Sequence, residues 1–172
     1  MTPAELATHL GTGAAYVAGV VPELAEKLGN VPPAPTSPES DHVRFYLFDA
    51  VTTFLKKVSR EHPLLLVLDD LHWADRSSLL LLEFVANELR EARILAIGTY
   101  REEEVRSEVS VAEIFGGVSR AARSMPLRGL SEAEVGLLKE RSGGRKPDAR
   151  LVAAVYKSTD GNPFFIDEIV RL

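Results

Sequence analysis

Between Pro63 and Asp75 the chain reads Pro-Leu-Leu-Leu-Val-Leu-Asp-Asp-Leu-His-Trp-Ala-Asp, and this stretch constrains the fold more than any other. Leu64 to Leu68 run without a polar break. A short continuous apolar run suits a strand covered on both faces within a parallel sheet. Pro63 bars a helix from running into it, because the residue before a proline is driven out of the α region. Asp69 and Asp70 follow where the strand ends. In open α/β sheets that end is where ligands bind. Two adjacent acids repel each other unless a cation, a proton or a set of donors compensates. A divalent metal carrying a phosphate ligand supplies such compensation. The alternative is a polar strand exit in which an acid caps the next turn.

The flanking sequence supplies elements that frame this strand. A short helix is expected over Ala4 to Leu10. Val17, Val20, Val21, Leu24 and Leu28 recur at helical spacing, with Pro22 near the start of that helix or kinking it. Pro32, Pro33, Pro35 and Pro38 make Val31 to Ser40 an extended connection. Val43, Leu47, Val51, Phe54, Leu55 and Val58 form a long apolar stripe, so a helix from Asp41, its expected cap, to Arg60 leads into the central strand. After Asp75, a further capping residue, Leu79, Leu80, Leu82, Phe84, Val85 and Leu89 mark a helix apolar around much of its circumference. Ile94 to Gly98 reads as a second short strand. Strand, helix and strand at this spacing predict a right-handed βαβ unit. A helix over Val105 to Ala122, loosened at Gly116-Gly117, and a third strand at Met125 to Leu127 complete the α/β part.

Beyond about Leu130 the pattern turns wholly helical. Ser131 and Glu134 form a capping box ahead of Val135, Leu137 and Leu138. Pro147-Asp148 opens a helix that carries Leu151, Val152, Val155 and Tyr156 and stops near Gly161. Asn162 and Pro163 stand as cap and first residue of a last helix. The expected organisation is therefore N-terminal helices and a proline-rich connection over 1–40, a partial α/β core over 41–129 and a small helical subdomain over 130–172.

Charge and cysteine usage remove several function classes. A net charge of −5 argues against a basic nucleic-acid-binding face. The chain has no cysteine, so it holds neither a disulfide framework nor a thiolate metal site. No signal-peptide pattern opens it, and its apolar runs fall short of a membrane span. A cytoplasmic protein is expected. Thr99 and Arg101 follow the second strand and would lie near the acidic pair, where an arginine can contact a terminal phosphate. Otherwise Arg101 pairs with Glu102, Glu103 or Glu104. His72 and Trp73 either line the mouth of the site or cover the sheet edge. Gly161, Asn162 and Pro163 are explained by helix capping alone.

Together, Leu-Val-Leu-Asp-Asp-Leu-His-Trp-Ala-Asp, Ile-Gly-Thr-Tyr-Arg-Glu and Gly-Asn-Pro-Phe-Phe-Ile-Asp-Glu form a series. It resembles the AAA-type ATPase domain of the STAND class found in large LuxR-type transcriptional regulators. The order matches from about Phe45 to Leu172, and more loosely from Tyr16. The resemblance implies a P-loop NTPase-like parallel sheet, of which this chain holds part, followed by a helical lid. It casts Leu64 to Asp70 as a Walker B strand, with Asp69 as the Mg²⁺-associated acid and Asp70 as the catalytic acid beside the attacking water. It implies ATP as the ligand, with Arg101 at the sensor position after the second strand; Thr99 beside it is a candidate nucleotide-binding residue. Gly161, Asn162 and Pro163 fall on the family's Gly-x-Pro, whose proline packs near the adenine.

One part of the family pattern is missing. The chain contains no Gly-x-x-x-x-Gly-Lys-Ser/Thr, and Gly11 to Gly19 has no Lys-Ser/Thr after it. Without that loop there is no nest of backbone N–H groups and no lysine for the β- and γ-phosphates. The expectation is a C-terminal part of a longer regulatory ATPase domain that binds ATP weakly or not at all by itself, with an apolar strand edge left open. The alternative is a non-catalytic interaction module that uses this edge and the leucine-rich helix to pair with another chain or with itself. A phospho-acceptor receiver domain is excluded, because the second strand ends in Gly98-Thr99 where that fold needs a further acid.

Overall fold

A computed structural model describes residues 1–29, 31, 41–143 and 145–170. The chain divides into two compact units, Met1–Arg123 and Ser124–Leu172. The proline-rich connection expected at Val31 to Ser40 lies outside the described residues, apart from Val31.

In the first unit, α1 (Pro3–Leu10) begins with a capping box: the Thr2 hydroxyl accepts from the Glu5 backbone, and the Glu5 carboxylate accepts from the Thr2 backbone. A 3-10 turn at Gly11–Gly13 leads into α2 (Ala14–Ala18), and α3 (Pro22–Leu28) follows. The expected helix through Val17 to Leu28 is thus divided ahead of Pro22, whose ring suits a helix start and not a helix interior. Leu10, Val17 and Ala50 bury together where these elements meet α4 (Asp41–Glu61). Gly13 is needed there, since a Cβ on it would lie 2.5 Å from the Ala50 Cβ. Asp41 is the first residue of α4, and its carboxylate accepts from Arg44 Nη2 at 2.8 Å.

The sheet consists of β1 (Leu64–Leu68) and β2 (Ile94–Gly98), paired in parallel with Leu64 beside Ile94 and Leu68 beside Gly98. Between them run a 3-10 turn at Leu71–Trp73 and α5 (Arg76–Glu88), started by Asp75, whose carboxylate accepts from the backbones of Ser77 and Ser78. After β2 come α6 (Glu102–Ser107) and α7 (Val109–Ala121). The main core of this unit is helical: Leu79 of α5 packs with Val105, Val111, Ile114 and Phe115, and with Leu71 from the turn.

Three expectations for the α/β part are corrected. The first strand is not covered on both faces. Leu65, Val67, Leu95 and Ile97 share one face in register and are 61, 60, 60 and 45% exposed, because no described element lies over them. The helix after β2 breaks at Glu108, whose backbone is extended, and runs unbroken through Gly116-Gly117. Gly117 serves close packing, since a Cβ there would overlap the Glu83 carboxylate of α5. Met125 to Leu127 form no strand; Met125 is 74% and Leu127 94% exposed, and neither finds a described ladder partner.

The second unit holds α8 (Glu132–Gly143), α9 (Ala149–Thr159) and α10 (Pro163–Val170) around Val135, Val152, Val155 and Ile166. The expected capping box is present, with Ser131 N and Oγ donating to Glu134 Oε2 at 2.8 and 2.7 Å. Val135 and Leu138 turn inward, whereas Leu137 is 59% exposed. None of the described helices is long and apolar enough to cross a membrane.

Two predictions follow from this packing. Ile166→Ala, which empties a fully buried position, is expected to cost the chain ~2–5 kcal/mol in denaturant unfolding, while Leu137→Ala stays within about 0.5 kcal/mol. Hydrogen bonds from the side chain and backbone of Ser78 hold the Asp75 carboxyl below its usual range, and bonds from Ser131 do the same for Glu134. A carboxyl depressed in the folded state adds stability that is present above its unfolded pKa and lost as pH falls through the folded one. Asp75→Asn should therefore lower Tm at neutral pH and flatten its fall between about pH 5 and pH 3; an unchanged acid limb would count against the cap.

Candidate functional site

The two acids sit at the carboxyl end of β1, as the sequence places them, and the end of β2 lies alongside. The parallel ladder continues past the strands: Thr99 N donates to Leu68 O at 3.0 Å, and Leu71 N donates to Thr99 O at 2.9 Å. Gly98 permits this, because a Cβ on it would lie 2.5 Å from Leu71 Cδ1. The Thr99 hydroxyl completes the junction by accepting from Asp70 N at 3.0 Å and donating to Asp69 Oδ1. One residue thus fixes the backbone of the turn and orients the first acid.

Asp70 adopts left-handed backbone geometry, φ 54° and ψ 43°. Non-glycine residues seldom do so, and Asp is among the better tolerated. The turn separates the two carboxylates. Asp69 is tied to Thr99, while Asp70 Oδ1 lies 3.8 Å from His72 Nε2. The His72 side chain is fully buried, and its Nδ1 accepts from Arg101 N at 3.4 Å. Trp73 packs its ring against His72, with centroids 5.2 Å apart, and is otherwise 74% exposed.

Arg101 follows Tyr100 beyond β2, and its guanidinium Nη1 meets Glu104 Oε1 at 3.2 Å. Among the described residues it makes no ion pair with Asp69 or Asp70. Glu104 is the group that sequence reasoning left unresolved, since three glutamates follow the arginine in succession. The usable signal was helical spacing: Arg101 and Glu104 stand at i and i+3 across the first turn of α6.

An open groove of about 660 Å³ runs from the acids between α4, α5 and β1, lined by Val51, Leu55, Leu66, Leu82 and Val85. Its lining is apolar except for Asp69, Asp70 and Ser78. Gly11 to Gly19, the glycine-containing segment upstream, forms the 3-10 turn and α2, with Gly11 beside Lys57 Nζ. That lysine donates to His9 O at 3.0 Å and so closes the end of α1.

Among the described residues no group of three or more His, Cys, Asp or Glu forms a metal cage. Mg²⁺ does not require one, since it is held by one or two carboxylates together with phosphate oxygens and water. Asp69, exposed and aligned by Thr99, suits such a partial site.

Gly161, Asn162 and Pro163 belong to the second unit and join α9 to α10. Asp160 and Gly161 have positive φ, Asn162 Oδ1 accepts from Phe164 N at 3.0 Å, and Leu130 N donates to Gly161 O at 2.7 Å. A Cβ on Gly161 would lie 2.1 Å from Leu130 O. These contacts give the three residues a structural role within their own unit.

A family model described as AAA ATPase domain matches residues 3–97. A second, described as a domain of unknown function (DUF8739), matches residues 130–172. No curated protein and no solved structure matches the chain.

The Thr99 junction yields a stability prediction. Thr99→Val keeps the shape and removes both hydroxyl bonds, so it should destabilise the first unit by ~1–2 kcal/mol in denaturant unfolding. Thr99→Ser should recover most of that; equal losses in the two variants would show that the hydroxyl is not what holds the turn.

Proposed function

The chain belongs to the AAA ATPase domain family, and we propose that it is part of an ATP-binding regulatory module of a signalling or transcriptional regulator of the STAND type. The observation that carries this reading is the placement of Asp69, Asp70 and Thr99 together at the carboxyl ends of two parallel strands. That is where an α/β sheet binds its ligand. In this reading β1 is a Walker B strand. Asp69 holds Mg²⁺, directly or through water, and Asp70 faces the water that attacks the terminal phosphate. Thr99 aligns Asp69, and Arg101 leaves Glu104 for a phosphate oxygen, as a planar bidentate donor can. Gly161, Asn162 and Pro163 are proposed as the nucleotide contact of the helical lid. Nucleotide state would set the lid and hence partner assembly.

The missing phosphate-binding loop limits what this chain does alone. Metal and sensor groups remain, while the backbone nest and lysine that grip the β- and γ-phosphates are absent from the sequence. Weak binding of ATP or ADP and no turnover are expected, with the rest of a longer regulator as the partner that completes the site.

The test is titration of the purified full chain with Mg-ATP, followed by calorimetry and by amide NMR. Saturable shifts confined to Asp69, Asp70, Thr99, Arg101, Gly161, Asn162 and their neighbours, lost in Asp69→Asn, are the expected result. No phosphate release should be detectable; turnover that disappears in Asp70→Asn would refute the inactivity. A second reading is favoured by the exposed apolar face of Leu65, Val67, Leu95 and Ile97: a non-catalytic interaction module. Concentration-dependent association with no ATP-dependent heat or shift would select it.

A further inference from the structure

The groove that opens at the acid pair has no part in the proposed nucleotide site beyond the acids themselves, and its walls are of one kind. α4 contributes Val51 and Leu55, β1 contributes Leu66, and α5 contributes Leu82 and Val85. Ser78 is the one hydroxyl among its described lining residues, and it already donates to Asp75 Oδ2 at 2.6 Å. Along α5 the lining runs from Ser78 to Val85, about 10 Å of helix axis. A volume of about 660 Å³ falls within the small-molecule range of roughly 300–1,000 Å³. Sites of that class are mostly apolar, with a few polar groups that fix the ligand's orientation.

The uncommitted polar groups lie at one end and share one sign. Among the described residues no lysine or arginine lines the groove, and neither Asp69 nor Asp70 pairs with one. The Asp69 carboxylate has the Thr99 hydroxyl for a partner, and Asp70 has His72 3.8 Å away. Trp73 stands at the same end, its N–H donating to Asp70 O at 3.0 Å and its side chain 74% exposed. An open indole beside two carboxylates suits a cation, and quaternary ammonium groups are held by aromatic rings in this way. An anion is repelled here, and a neutral apolar molecule leaves the acids uncompensated. A molecule with an apolar body and a cationic head matches both parts.

We propose that the groove binds a small amphiphilic cation, an amine or quaternary ammonium on an apolar body. The body lies between α4, α5 and β1, and the head lies among Asp69, Asp70 and Trp73. Removal of the body from water supplies the affinity. The head supplies direction and selectivity through its charge. A cation in that place neutralises the pair that the nucleotide reading assigns to Mg²⁺. Mutual exclusion of this ligand and Mg-nucleotide is a consequence that rests on that reading, whereas the binding itself does not.

The test titrates the full chain with decyltrimethylammonium below its micelle concentration, in the absence of Mg²⁺ and ATP. Methyl and amide NMR are followed together with the fluorescence of Trp73, the single tryptophan of the chain. Saturable shifts at Leu55, Leu82 and Val85 with a change in Trp73 emission are expected. Decyl sulfate, of equal chain length and opposite charge, should bind about tenfold more weakly, a gap that narrows as salt is raised. Asp69→Asn combined with Asp70→Asn should remove most of the difference, and because the two probes are compared on the wild type, the outcome does not hang on the variant folding. Equal affinity for both probes on the wild type, or shifts centred on Leu95 and Ile97 of the exposed sheet face, overturns the proposal, since unspecific apolar contact gives either. Shifts at Leu55, Leu82 and Val85 that follow chain concentration and ignore the probe assign the groove to a second copy and overturn it as well. Mg-ATP then separates the two readings. Its displacement of the decyl cation supports both. Decyl binding without any effect of Mg-ATP keeps this proposal and counts against the nucleotide reading. Mg-ATP shifts at Asp69 without saturable decyl binding keep the nucleotide reading and remove this one.

Discussion

The geometry of the acid-bearing turn depends on its attachment to the second strand through Thr99. The main chain of that residue extends the parallel ladder by two bonds, to Leu68 and Leu71, and its hydroxyl reaches Asp69 and Asp70. Backbone groups at a strand end normally turn to solvent, where their direction is loose. Here they are paired, so the left-handed bend at Asp70 is held by its surroundings and the two acids acquire different neighbours. Asp69 is aligned from one side by a hydroxyl, and Asp70 looks toward a buried imidazole. A pair of like residues becomes a pair of unlike sites, which is the condition for two carboxylates to take different roles.

Packing behind the turn keeps it in place. Leu71 enters the core formed by Leu79, Val105, Ile114 and Phe115, and Gly98 leaves room for it. The turn, α5 and the helices after β2 are thus parts of one packed body, with the acids on its outer rim. The core lies among helices while both strands stay at least partly exposed. For a chain with two described strands this is a physical necessity, since a pair of strands has too little area to enclose a core of its own.

Much of this was legible in the sequence because the signals are local. The unbroken run Leu64 to Leu68, the cap at Asp75, the capping box of Ser131 and Glu134, and Asn162-Pro163 each announce an element within a few residues, and each is present. The errors came where the deciding contact is distant. Gly116-Gly117 suggests a weak helix until Glu83, far earlier in the chain, is seen to occupy the space a side chain would need. Met125 and Leu127 resemble a strand, but a strand exists only beside another, and none of the described elements pairs with them. The partner of Arg101 was open among three consecutive glutamates, and only the start of α6 at Glu102 singles out Glu104. His72 looked like edge cover because burial cannot be read from its neighbours in sequence.

The bare face of the sheet has a consequence for how the molecule behaves in solution. Leu65, Val67, Leu95 and Ile97 form a flat patch of regularly spaced branched side chains, next to backbone edges with hydrogen-bonding capacity to spare. Excluded salts such as sulfate and phosphate raise the cost of wetting such a patch, and low urea reduces it. Any self-contact through these faces would therefore strengthen in sulfate or phosphate and weaken in low urea, and phosphate is also the ion commonly used to imitate a nucleotide's phosphate.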